Sequence, residues 1–456
     1  VLCEFIGSLN KEVWALPVGG VFKVAYVGGG SRFVVTLLHG LAHEAEALGS
    51  LGRPIEIDLL DVDVPRAAEM ARYAAITARQ TGLPITAFAT GNRERALDGA
   101  DWVIVSVGLW DALGALRRRF LEPMGNPYVE TGPGVAVEGV AAWRFLAPLA
   151  EQMQRLAPGA TLTILVNPTD VLAAALAKAY GVQSVGVCVE VPGLVGWLSY
   201  YLEVPPEELH IEHIGVNHVG WVSHWTAAGK PGGELFWARV PSRMSNDDWY
   251  PHTTFFVWIY QALGYMRSSP YHHWPFHARW DDGLEGRNRL WAKACLPAGL
   301  DQRQYRQAAL ERALQDGRMI PEPSATKVHP EATPYAYPDT RRTLGALAVG
   351  LAGGLAGSVP LQVRNGRSNP CLPEDAWVEV PCMVEGGRVA PQSVPEPPSW
   401  LFSQTVAIAE QRRLLADWLA GRDPDGLAKG LLAMPEAAPI QDLLRLAREL
   451  PGALSS

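Results

Sequence analysis

The chain has 456 residues, 48% of them hydrophobic and 19% charged, with a formal net charge of -8 at pH 7. That length supports two or three joined cores, and the acidic balance with few Lys/Arg runs argues against a nucleic-acid partner. Five cysteines, at positions 3, 188, 295, 371 and 382, are too few and too scattered for a disulfide framework, which points to a reducing, cytoplasmic setting. Residues 1–20 mix Glu4, Lys11 and Glu12 with apolar residues, lack a signal-peptide pattern and read as an extension before the first strand. The apolar stretch 344–359 is short and glycine-rich, so it reads as a buried small-residue helix, and no membrane partner is expected.

Residues 21–38, VFKVAYVGGGSRFVVTLL, read as a strand, a turn made of Gly28, Gly29 and Gly30, and a helix starting near Ser31 whose open N–H groups suit a pyrophosphate. About thirty residues on, the alternating run 55–60 ends in Asp61, where the second strand of a βαβ unit sets an acid against a ribose diol. Phe33 stands where the usual fingerprint has its third glycine, so this helix must pack differently on the sheet. Further strands are expected at 24–27, 102–107, 162–166 and 184–187, with helices at 32–48, 67–80 and 139–156 between them, the rhythm of a doubly wound parallel sheet. The segment 109–134, with Pro123, Pro127 and Pro133, reads as a long loop serving a site at the carboxyl end of that sheet. After Leu202 the pattern changes. Residues 210–225 and 230–238 read as strands of a second sheet, 247–263 and 300–315 as helices, 321–338 as a proline-rich surface excursion, and 403–419 and 440–450 as closing amphipathic helices. The expected organisation is an extension (1–20), a nucleotide-binding domain (21–202) and an α+β C-terminal domain (203–456).

Polar residues that end apolar runs mark where ligands sit in α/β folds. Three such places stand out: Asn167-Pro168, Cys188 and Asn217-His218. Singly, each has an ordinary structural explanation as an Asx turn, a small core thiol or a hydrogen-bonded imidazole. Jointly, a thiolate and an imidazole at strand ends beside a nucleotide loop could share a divalent metal with open coordination positions. A structural zinc would need four ligands, and no CxxC pair is present to help supply them. The stretch 265–280, YMRSSPYHHWPFHARW, offers flat apolar faces with polar edges that suit a sugar-like ligand, and equally suits an interface or lid. Tyr271 or Tyr265 could act there as a base if a nearby cation lowered its pKa. The HxxxH spacings His39–His43 and His273–His277 lack the Glu of a zinc helix and are not assigned to metal.

Eight collinear segments, KVAYVGGGS, LLDVD, GADWVIV, VETGPGV, LVNPTDV, SVGVCVEVPG, IGVNHVGW and LPEDAWVEVPCMV, resemble those of the NAD- and divalent-metal-dependent glycosidases of glycoside hydrolase family 4, over nearly the whole chain. The resemblance implies a lactate/malate dehydrogenase-like fold: α/β, with a Rossmann-like doubly wound parallel sheet followed by an α+β C-terminal domain. It implies that Gly28, Gly29, Gly30, Ser31 and Asp61 hold NAD, with Glu130 near the nicotinamide. Asn167 and Asn217 would meet substrate hydroxyls, and Cys188 and His218 would bind the metal, usually manganese. Tyr271 would be the catalytic base, with Tyr265 the fallback. The family usually has Asp, Asn or His after the metal-binding Cys; here it is Val189, which leaves Glu190, a water or no group at all as the acid. The family's Arg-Val-Gly-Gly after the GADWVIV strand is replaced by Val107-Gly108-Leu109-Trp110. The implied reaction differs from the two-carboxylate scheme of most glycosidases. Hydride passes from sugar C3 to NAD, the C2 proton is removed, the aglycone leaves, water adds, and the hydride returns. The expectation is therefore a glycosidase of a small sugar glycoside or uronide, working as a homo-oligomer, a dimer or tetramer. The alternatives are an NAD-dependent dehydrogenase of a hydroxy acid or sugar, and a catalytically inactive NAD-binding homologue.

Overall fold

The computed structural model describes residues 20–124, 132–244, 251–269, 302–328, 333–335, 339–433 and 439–454. Six parallel strands build the N-terminal half: β1 (Phe22–Val27), β2 (Ile55–Leu60), β3 (Ile85–Thr90), β4 (Trp102–Val105), β5 (Thr161–Ile164) and β6 (Gln183–Gly186). They lie in the order β6-β5-β4-β1-β2-β3. β4 and β5 are buried at every position, as expected where helices cover both faces of a parallel sheet. The order reverses between β1 and β4, the switch point at which such sheets bind ligands. The Rossmann-like expectation is borne out.

The sheet then continues. β11 (Leu355–Arg364) joins β6 through the single pair Gln362↔Gly186, and β12 (Trp377–Glu385) pairs with β11 along its length. β7 (Leu209–Val216) meets β12 at the single pair Glu379↔Gly215, followed by β8 (Val219–Ala227) and the short β10 (Met266–Arg267). β9 (Lys230–Pro231) and β13 (Arg388–Pro391) pair at the margins of β8 and β12. Among the described residues there is thus one continuous sheet where a separate second one was expected. Two one-residue seams carry the continuity. A Cβ at Gly186 would collide with Gln362 Oε1, so glycine is what lets the Gln362 amide lie over the end of β6.

Several local expectations are corrected. Residues 230–238 form a strand only at Lys230–Pro231 and then the helix Gly232–Met244, because Phe236, Val240 and Met244 are buried at helical spacing. The stretch 344–359 is a helix only to Leu351; Gly353, at φ +105°, turns the chain and β11 starts at Leu355. The presumed loop 109–134 holds the helix Trp110–Leu116 and a π-helical turn Arg117–Leu121 that buries Phe120 and Leu121. In the presumed surface excursion, Tyr335 is buried and stacks on His39 at 4.3 Å, while His39 Nε2 pairs with the Tyr73 hydroxyl at 2.8 Å. The expected helix 32–48 breaks into Phe33–His43 and Ala45–Ser50. Among the described residues no helix is long and apolar enough to cross a membrane.

The Gly186 seam is directly testable. Gly186→Ala forces the hydrogen-bonded Gln362 amide aside, an overpacking defect costing about 1–3 kcal/mol. Urea unfolding should show a lower midpoint, and an unchanged midpoint would mean that the seam is not tight.

Candidate functional site

At the switch point β1 runs into Gly28, whose φ of +92° and close approach to the Ser106 carbonyl both require glycine. The N–H groups of Gly28 and Gly29 donate to the Leu60 carbonyl at 2.9 Å, and a Cβ on Gly29 would lie 2.6 Å from the Leu59 backbone. The loop is therefore pressed against the end of β2. Gly30 N–H donates to Asp61 Oδ2 at 2.8 Å and Asp63 N–H to Asp61 Oδ1 at 2.9 Å. Asp61 thus holds the glycine turn in place while staying partly exposed. Ser31 Oγ pairs with Ser106 Oγ at 3.0 Å and accepts the Phe33 N–H. The helix starts at Phe33 with no acid in its first turn; its first N–H groups are taken by Ser31 Oγ, the Ser31 carbonyl and the Arg32 carbonyl, so what it offers an anion is the positive end of its dipole. Glu130 lies outside the described residues.

Along the same carboxyl edge, the chain leaves β6 at Gly186, passes through Cys188 and enters the helix Glu190–Leu202. Asn217 and His218 form the two-residue turn between β7 and β8. His218 has φ +62°, a left-handed conformation uncommon for a non-glycine residue and a pointer to function. Cys188 Sγ, a Glu190 carboxylate oxygen and a His218 ring nitrogen all lie within 4.8 Å of one another, and all three residues are buried. His218 Nδ1 is 3.7 Å from Glu190 Oε1, and Glu190 N–H points at Cys188 Sγ at 3.4 Å. The two expected ligands are brought together, and Glu190 joins them as a third donor.

A layer of hydrogen bonds supports this cluster. Asn217 Nδ2 donates to Asn167 Oδ1 at 3.2 Å, joining the two residues expected to meet substrate. Gln362 Nε2 donates to Asn217 Oδ1 at 2.8 Å and reaches Glu379 Oε2 at 3.4 Å, while Thr169 Oγ1 donates to Gln362 Oε1. Asp170 pairs with Arg412, both buried, and His213 Nδ1–H donates to the Glu379 carbonyl at 3.2 Å. Burial pushes Glu379 up to about 7, opposed by its bond to Gln362 and the nearness of His218. Burial also pushes His213 down to about 3 and so keeps it neutral.

Tyr265 packs edge-on to Trp400 at 6.2 Å; Tyr271 lies outside the described residues. Sequence reasoning missed Gln362, Glu379, Thr169, Asp170 and Arg412. One signal was present for Glu379: a lone acid between valines in a strand-like run, VEV, is a charge placed where only a partner makes it tolerable.

A model of the family 4 glycosyl hydrolases matches residues 23–204, and one of their C-terminal domain matches residues 213–417. The chain belongs to the family 4 glycosyl hydrolases. It is 26% identical over 204 residues to a probable 6-phospho-beta-glucosidase of Bacillus subtilis (strain 168), covering 43% of this chain and 45% of that protein. It is also 26% identical over 219 residues to an alpha-galacturonidase of Thermoanaerobacterium saccharolyticum, covering 44% and 45%. These alignments span less than half the length of the curated relatives. Among solved structures, it resembles the 6-phospho-beta glucosidase of Thermotoga maritima with manganese, NAD+ and glucose-6-phosphate. The TM-score is 0.65 at 18% identity, covering 94% of this chain and 98% of that one. At that identity the likeness shows the fold. In this chain the glycine loop and the Cys188/His218 pair both lie along the carboxyl edge of the parallel strands.

The raised Glu379 carboxyl sets a pH dependence. The folded protein keeps a proton that the unfolded chain releases above the ordinary value of 4.5. This group's contribution to stability is therefore full below 4.5 and falls as pH rises through 7. Glu379→Gln removes the titration. Relative to the parent, the variant should gain about 1–3 kcal/mol between pH 5 and pH 8, read by urea unfolding. A difference that does not vary with pH would show that Glu379 ionises normally.

Proposed function

We propose that this family 4 member is an NAD- and divalent-metal-dependent glycosidase acting on a small sugar glycoside. The observation that carries the reading is the buried Cys188/Glu190/His218 cluster at the same sheet edge as the glycine loop. Thiolate, imidazole and carboxylate form a donor set for a transition-metal dication, and three protein ligands leave positions open to substrate oxygens. The loop fits a dinucleotide by its place: a glycine turn packed tightly on Ser106 and Leu59 at the switch point of the sheet, with Asp61 at the ribose position.

When bound, NAD supplies hydride acceptance and return at sugar C3, and the ion supplies Lewis-acid polarisation of the neighbouring sugar oxygens. The chain's own residues do the rest. Asn167 and Asn217, joined to each other, hold the sugar hydroxyls with their remaining amide groups. Glu190, standing among the donors, serves as a ligand in preference to protonating the leaving group. A tyrosine removes the C2 proton: Tyr271 is the first candidate, and Tyr265 the one with a described environment. Homo-oligomeric assembly and a cytoplasmic setting belong to the same reading and rest on the sequence argument.

Asp61→Ala should weaken NAD binding by about 1.5–3 kcal/mol, since a ribose hydroxyl and the Gly30 N–H both lose a charged acceptor. Unchanged affinity in a calorimetric titration would remove Asp61 from the cofactor site.

Removal of the C2 proton exchanges it with solvent, whereas direct displacement at C1 never breaks that bond. Sugar released in heavy water should carry deuterium at C2 by proton NMR, with no net build-up of NADH. Cys188→Ser and His218→Ala should each lose both metal, by elemental analysis, and exchange. Cleavage with the C2 proton fully retained would end this mechanism for the chain, and steady NADH accumulation would mark a dehydrogenase.

A further inference from the structure

Arg267, on β10, is only 1% exposed, and its Nε and Nη2 have no hydrogen-bond partner among the described residues. Its Cζ lies 4.7 Å from the ring centroid of Trp221, its cross-strand neighbour. Such a cation–π contact offsets part of the cost of burial but leaves the charge in place. Burial lowers the guanidinium pKa only to about 10, so the group is a cation at neutral pH.

The described acids of the site are engaged elsewhere. Asp170 pairs with Arg412, Glu379 is bonded to Gln362, and Glu190 stands against His218. His213, held neutral in part by Arg267 itself, offers no negative charge. A buried cation with unfilled donors is costly, and such groups are normally paired. The partner that such a cation calls for, and that the described residues do not supply, is an anion.

Placement indicates whose anion it is. Trp221 follows His218 by three residues on β8, roughly 10 Å along an extended strand, and Arg267 lies directly across from Trp221. One sugar unit and an arginine side chain together span that distance. Trp221 and Tyr265 pack in the same apolar cluster, and Trp400, edge-on to Tyr265, is 59% exposed. Tyr265 stands two residues before Arg267 in the chain, and Val107-Gly108-Leu109-Trp110 after β4 carries no cation.

We propose that Arg267 is a specificity-determining residue that binds an anionic group, carboxylate or phosphate, on the sugar held at the Cys188/Glu190/His218 cluster. The position of the sugar rests on the glycosidase reading; capture of the anion does not require turnover.

The test is calorimetric titration of the protein loaded with NAD and Mn2+, using D-galacturonate against D-galactose and glucose 6-phosphate against D-glucose. At least one anionic sugar should bind about tenfold or more tightly than its uncharged counterpart, and the pair showing it distinguishes carboxylate from phosphate. Arg267→Met should abolish that preference. Arg267→Lys, which keeps the charge but loses the planar fork, should reduce it. Equal affinities within both pairs for the parent protein, or a preference that survives Arg267→Met, overturns the proposal. If Arg267→Met fails to fold by circular dichroism, an undiminished preference in Arg267→Lys overturns it instead. Aglycone release is assayed separately. Charge preference without turnover sinks only the glycosidase reading, and turnover without charge preference sinks only the role of Arg267.

Discussion

The amide of Gln362 joins the two halves of the molecule. Its oxygen accepts from Thr169, at the start of the helix that follows β5, and its nitrogen serves Asn217 in the β7–β8 turn and Glu379 on β12. The backbone of the same residue makes the one pair that joins β11 to β6. Cys188 is two residues beyond Gly186, and His218 is next to Asn217. Cys188 and His218, which follow strands that are not neighbours, thus flank residues that one side chain ties together. A site needs its donors fixed to within a fraction of an ångström by a supporting shell, and here that shell lies at the narrowest seam of the sheet.

The charges around that seam fall into two groups. Asp170 with Arg412, and Glu379 with Gln362, are paired within the protein. Glu190 and His218 converge with Cys188, in an arrangement whose natural complement is a cation. In a buried setting the distinction matters, because an unmatched charge costs several kcal/mol while a matched one is near neutral. The strained backbone of His218 fits the same pattern. A tight two-residue turn favours glycine or asparagine at positive φ, yet an imidazole occupies the position.

The cofactor end is built differently. Its glycines are held by backbone bonds to the end of β2 and by the Asp61 carboxylate, all within one βαβ unit. The glycine turn is therefore a local structure, whereas the Cys188/Glu190/His218 cluster depends on contacts across the sheet.

That difference decides what could be read from the chain alone. The parallel half, the glycine turn and Asp61 were legible because strand, turn and helix patterns are local and each element buries its own apolar face. Cys188 and His218 were legible as polar residues ending apolar runs. The sequence did not reveal β11 and β12 as the bridge between the halves, since their pairing with β6 and β7 is long-range and only one residue deep at each seam. Nor did it reveal Glu190 beside Cys188 and His218, Gln362 and Glu379 as the support beneath Asn217, or Arg267 as a buried cation. Spacing along a chain says which residues share a strand face or a helix face. Which buried polar groups find partners is settled only when distant segments pack, because burial is what makes an unmatched charge costly and forces each one to be paired or left for a ligand.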